Sequence, residues 1–357
     1  MSFKLLNGDI WQWSKRVAMV KFKEMNSAEN IQATPVPPSL LASLKAGFDA
    51  VTRHIWLILI PAILDIFLWL GTRLSLADLI QNFLKEISSI PELKSAETAD
   101  LIAAASEIWI SIGESFNLFS ALRSYPVGVP SLFAAGQPAR APIVIASSVE
   151  ITSPFTIIGL WLLLFAVGLV FGALFYHLVA QAALTDRIDW NQTMHQWPWN
   201  SLQVTLLALF WLALLIVMFI PGSCFLTLVT MTGQLFSQLG LLIYGVLVIW
   251  VLFPLIFSAH GIFVNRHKVW VSVLDSVRIT RFTVAKTALF FVLIFVISEG
   301  LSVLWRVPEG SSWLLLIGVF GHAFIVTSLL AASFVYYRDA YLWVKNMQTH
   351  SKLSVIT

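Results

Sequence analysis

Apolar residues run along this chain in blocks of about twenty, separated by short polar connections, and blocks of that length predict helices that cross a membrane. The clearest case is residues 190–265, which contain no Asp, Glu, Lys or Arg. That stretch accommodates two spans, at residues 201–220 and 239–264, with Pro221-Gly222 and a run of Thr, Gln and Ser as the turn signal between them. The same test places further spans at residues 55–72, 155–184, 285–305 and 313–337. The runs are continuous rather than alternating, so they read as helices and not as barrel strands. The expected fold is all-α: a polytopic integral membrane bundle of about six transmembrane helices, with cytoplasmic interfacial helices and a helical outer insertion.

Composition agrees with this pattern. Of 357 residues, 58% are hydrophobic and only 11% charged, which excludes a disordered chain and a nucleic-acid-binding surface built from Lys and Arg clusters. The single cysteine, Cys224, rules out an intrachain disulfide. Sixteen of the 22 Lys and Arg residues fall on the side of the spans that holds both termini, so both ends are expected in the cytoplasm and the chain in the cell (inner) membrane. No apolar signal segment is visible in residues 1–24, which mix Trp11, Trp13 and Val17 with Lys15, Arg16 and Lys21, as in an interfacial helix.

These boundaries divide the chain into five parts. Residues 1–50 form a cytoplasmic interfacial segment with a linker bearing Pro35, Pro37 and Pro38. Residues 51–73 are the first span, 74–154 an extracytoplasmic helical insertion, 155–338 a five-span region and 339–357 a cytoplasmic tail. The amphipathic stretches at residues 43–53 and 271–281 align Val51-Thr52-Arg53 with Ile279-Thr280-Arg281, and residues 189–199 hold an equivalent place before the third span. The layout suggests three copies of an interfacial helix followed by a two-span hairpin. In the insertion, Leu76, Leu79, Ile80, Phe83, Leu84 and Ile87 recur at helical spacing, and residues 101–116 continue in that style. Residues 117–136 are apolar but carry Pro126, Gly128, Pro130 and Gly136, and read as a non-helical cap over the outer helix ends, with a plug or lid as the sharper alternative.

Six spans, a long first outer loop and the basic element SVLDSVRITR before a later span resemble uncharacterised bacterial membrane proteins related to the membrane domain that accompanies some glycerophosphoryl diester phosphodiesterases. In that family catalysis belongs to a separate barrel with metal-binding residues, and no such barrel is present here. The resemblance implies a fold and a cell-membrane location, and it transfers no functional residue.

Candidate chemistry is confined to polar groups within spans, where charge is costly. Asp65 falls near the midplane of the first span, with Pro61 four residues earlier expected to kink the helix and free carbonyls. Glu299 and Arg306, seven residues apart, are expected as a pair near the outer surface. His177, His260 and His322 read as packed side chains bonded to carbonyls. Together Asp65, Glu299, Arg306 and His322 are the candidate intramembrane polar site, and Arg278, Arg281 and Lys286 the candidate contacts to lipid or a partner. Gly168 and Gly172 form a small-xxx-small surface for close approach of another helix. No phosphate-binding loop, HExxH, CxxC or nucleophile elbow occurs, so no metal or cofactor is expected and no catalytic signature supports an enzyme; an intramembrane enzyme acting on lipid, with Asp65 and the histidines as acid/base groups, is the third class left open. The expected function is a non-catalytic scaffold, assembly or lipid-interacting accessory, with a small-solute or proton-coupled transporter using Asp65 as the alternative. Expected partners are membrane lipids, anionic ones included, and another membrane protein, but not nucleic acid.

Overall fold

A computed structural model describes residues 37–90, 96–135, 141–142, 148–231 and 233–354. The expected interfacial helix within residues 1–24 lies outside them. Helix α1 (Leu40–Arg53) is capped by Ser39, whose hydroxyl accepts from the Ala42 amide. It is followed by a 3₁₀ turn (Ile55–Ile58) and α2 (Leu59–Leu70), and this apolar pair meets α1 at 93°. The expected kink at Pro61 is absent. Pro61 falls in the first turn of α2, where a missing amide hydrogen is not needed, and the bend sits at His54 instead.

The insertion begins with strand β1 (Arg73–Ser75) and helices α3 (Ala77–Ser89) and α4 (Ala96–Ser115), as the periodicity predicts, and ends with strand β2 (Ser148–Glu150). The two strands, not foreseen from the sequence, pair in parallel with Arg73 opposite Ser148 and Ser75 opposite Glu150. They clamp the place where the insertion leaves and rejoins the bundle.

Helices α5 (Pro154–Thr185), α6 (Trp190–Thr230), α7 (Gln234–Leu252), α8 (His260–Val264), α9 (Val269–Trp305) and α10 (Leu315–Ser354) complete the chain. Among the described residues, five segments are long and apolar enough to cross a membrane, six if the bent α1/α2 pair counts as one span. The protein is therefore an all-α, multi-pass helical bundle. The segments preceding the third and fifth spans are not separate interfacial helices: each is continuous with its span. In α9 the junction survives as a kink at Thr283, two residues after Arg281, while the break after α1 falls one residue after Arg53. Thr283 donates its hydroxyl to the Ile279 carbonyl one turn back, a bond that competes with the helical ladder.

Candidate functional site: a loop inside the bundle facing a broken helix

Residues 117–135 do not cap the helix ends. They descend into the bundle as a re-entrant loop with 3₁₀ turns at Leu118–Arg123 and Leu132–Ala135, and the reason lies in the groove that receives them. Gly168 and Gly172 of α5, expected to meet another helix, meet this loop's backbone instead. A Cβ on Gly168 would collide with the Leu122 carbonyl oxygen, and one on Gly172 would lie 2.7 Å from the Gly128 Cα. Gly168 lies fourteen residues into α5, roughly 21 Å from its start at 1.5 Å per residue, so the loop sits at membrane depth. Non-helical backbone is tolerated there only when protein or a cavity satisfies its polar groups.

Asp65 provides part of that satisfaction. Its fully buried carboxylate accepts the Ser131 hydroxyl and, at 3.0 Å on both oxygens, the Leu132 amide; the Phe133 amide in turn donates to the Ser131 hydroxyl at 3.2 Å. At the top of the loop the buried Asn117 side chain accepts from the Leu74 and Phe119 amides, each at 3.1 Å, tying the loop to β1. Between these two anchors lies the tip, Arg123 to Pro126, with a cis Tyr125–Pro126 peptide bond.

A second interruption faces this tip. The fourth span ends its regular helix at Leu252, passes through a 3₁₀ turn (Phe253–Leu255), and resumes at His260. Serines on α9 satisfy the unwound backbone: Ser276 donates to the Pro254 carbonyl and accepts from the Phe257 amide, while Ser272 donates to the Ser258 carbonyl at 2.6 Å. Trp211 links the two interruptions. Its ring stacks edge-on with Tyr125 at 5.5 Å, and its indole N–H donates to the Ser258 hydroxyl at 3.3 Å.

Two cavities adjoin the tip. The one towards the insertion end, about 620 Å³, is lined by Arg123, Tyr125, Trp161 and Phe165 among others; the deeper one, about 560 Å³, by Trp211, Ser258, His260 and Ser333. They share Tyr125, Pro126, Tyr176, Val326 and Leu330 as common walls. Ser333 donates to the Leu330 carbonyl at 2.7 Å, so the 2.9 Å contact from His260 Nε2 to the Ser333 oxygen requires a proton on Nε2. The buried Nδ1 of His260 is then an acceptor with no partner.

The four candidate polar residues are not joined by any hydrogen bond or ion pair among the described residues. Glu299 and Arg306 are exposed and do not pair: seven residues separate them by roughly 10 Å along the axis, beyond the reach of neighbours one turn apart. His322 is buried with its Nε2 unpartnered and lies within the electrostatic reach of Arg306 and Arg123. The other two histidines bond to side chains rather than to carbonyls, His177 lying between Gln181 and Asn200. Of the basic candidates, Arg278 is held by the buried Asp275, which also meets His267 at 2.9 Å; Arg281 and Lys286 are exposed. Replacing Arg281 and Lys286 by Gln is expected to leave thermal stability within about 0.5 kcal/mol and to weaken sedimentation with phosphatidylserine vesicles by roughly 1 kcal/mol per charge. Unchanged vesicle binding would remove them as lipid contacts.

No motif in the sequence singles out Arg123, Tyr125, Trp211 or the α9 serines. Signals existed in Pro254 inside an apolar run and in Ser272 and Ser276 at i, i+4 spacing, but they name a helix break only once their partners are known. No group of three or more His, Cys, Asp or Glu suited to a metal ion occurs among the described residues. No protein-family model matches the chain, and comparisons with curated proteins and solved structures also gave no match.

Proposed function

We propose that this protein is a carrier for a small amphipathic molecule, which enters the cavity at the insertion end and passes the Tyr125–Pro126 tip into the deeper one. What supports this reading is the meeting of two interruptions of regular backbone across adjoining cavities, with Trp211 bound to both. Broken helices around a central site are the way many transporters expose backbone and polar groups to a substrate. In this reading Asp65 is the anchor of the loop rather than the coupling site, the protein is in the inner membrane, and its termini face the cytoplasm.

The test uses thiol labelling in proteoliposomes, with Cys224→Ser as background and Leu330→Cys or Ser333→Cys added. A carrier gives labelling by a membrane-impermeant reagent from each side in turn, with Ser333→Cys reached from the side opposite the insertion in part of the population. Labelling from one side only at both positions would defeat the carrier reading.

One observation favours a second reading, an accessory that binds lipid or another membrane protein. Beyond Trp211, α6 buries only Gly222, and α7 buries only Gly240, so the outer halves of this hairpin pack chiefly on each other and present apolar faces outward. Recovery of a second protein at fixed stoichiometry in native mass spectrometry of the gently released protein would support it.

A further inference from the structure

We infer that the cavity at the insertion end binds an amphiphile with a single anionic headgroup, and that Arg123 is the residue that recognises it. This rests on the carrier reading for its purpose but not for its geometry. Arg123 follows Leu122, whose carbonyl packs on Gly168 roughly 21 Å along α5, so the arginine belongs to a segment at membrane depth. Among the described residues no carboxylate pairs with it, and no hydrogen bond holds its guanidinium. The carboxylate within its electrostatic reach, that of Asp65, already accepts from Ser131 and Leu132. An arginine at such depth is costly unless water or an anion meets it, and its side chain is exposed to a cavity of about 620 Å³ with room for either.

The walls select among anions. Trp161 and Phe165 stack at 5.3 Å along α5 on one side of the cavity, and Tyr125 and Tyr176 close its deeper end. Such walls suit an apolar tail and give a free inorganic ion little beyond the guanidinium itself. A planar guanidinium can grip phosphate or carboxylate oxygens through two parallel hydrogen bonds. The occupant that fits both parts is a phosphate or carboxylate carrying an alkyl or acyl tail.

Equilibrium binding of radiolabelled phosphatidic acid to the full-length protein in neutral detergent tests this. Arg123→Gln is expected to weaken binding roughly tenfold or more, the loss that follows from one charge-assisted bond, and Arg123→Lys to recover part of it. Ser120→Glu, which adds a carboxylate to the same cavity wall, should abolish binding without touching Arg123. Lys85→Gln, on the exposed face of α3 and outside both cavities, should change nothing. Dodecyl phosphate should compete and inorganic phosphate should not. Equal competition by inorganic phosphate would overturn the amphiphile, and wild-type binding by both Arg123→Gln and Ser120→Glu would overturn the site. The two readings fail separately. Loss of binding in Arg123→Gln with one-sided cavity labelling keeps the anion site and removes the carrier; alternating labelling with unchanged binding removes the site alone.

Discussion

Replacing Asp65 by Ala should release the re-entrant loop and lower stability by about 3 kcal/mol or more. The figure follows from bonds to a charged acceptor, worth about 1.5–3 kcal/mol each, together with the Ser131 hydroxyl and Leu132 amide left buried without a partner. Asp65→Asn should cost less, since one side-chain oxygen remains to accept, but its amide nitrogen faces donors and cannot replace the second bond. Unfolding in mixed micelles gives the stability. Labelling of Tyr125→Cys in the Cys224→Ser background reports on the loop, and its rate should rise in Asp65→Ala. A variant as stable as the parent, with unchanged labelling, would show that the loop is held by its packing alone.

The second large effect is expected from α5. Gly168→Ala places a methyl against the Leu122 carbonyl, and because the obstacle is backbone rather than the end of a flexible side chain, the loop has to move. Overpacking of this kind costs about 1–3 kcal/mol, and Gly168→Leu more. Gly159 on the same helix supplies the control, since a Cβ there meets nothing within 4 Å; Gly159→Ala should be neutral or slightly stabilising through helix propensity. Equal melting of the two alanine variants would contradict the close approach of loop and helix.

The two variants also mark what was legible in the chain beforehand. The spans were legible because each is a local property: a run of apolar residues near twenty long reports its own environment, as in the charge-free residues 190–265. Asp65 stood out as costly where it lies. Its partners did not, because Ser131 and Leu132 are sixty-six and sixty-seven positions away and nothing in their own neighbourhood points back to it. The Pro- and Gly-bearing stretch after Asn117 excluded a regular helix but left its depth open, since an apolar irregular segment suits a surface cap and a buried loop equally well. Its depth is set by Gly168 and Gly172, which a sequence reading assigns to helix packing. Arg123 is, by sequence, only one of the six Lys and Arg residues outside the side that holds both termini, because a side chain's exposure to an internal cavity has no local signature.

The order of the chain gives the loop's docking a history. Residues 117–135 are synthesised before any of α5, and the deeper wall formed by Val326 and Leu330 comes at least 200 residues after the loop tip. A nascent chain therefore carries Asp65 and the loop before the Gly168 groove exists. The loop must wait at the bilayer edge, or pair early with α2, until α5 arrives and the last long helix closes over it. Until then the apolar side chains of the waiting segment, Val127 and Leu132 among them, have no completed groove to enter.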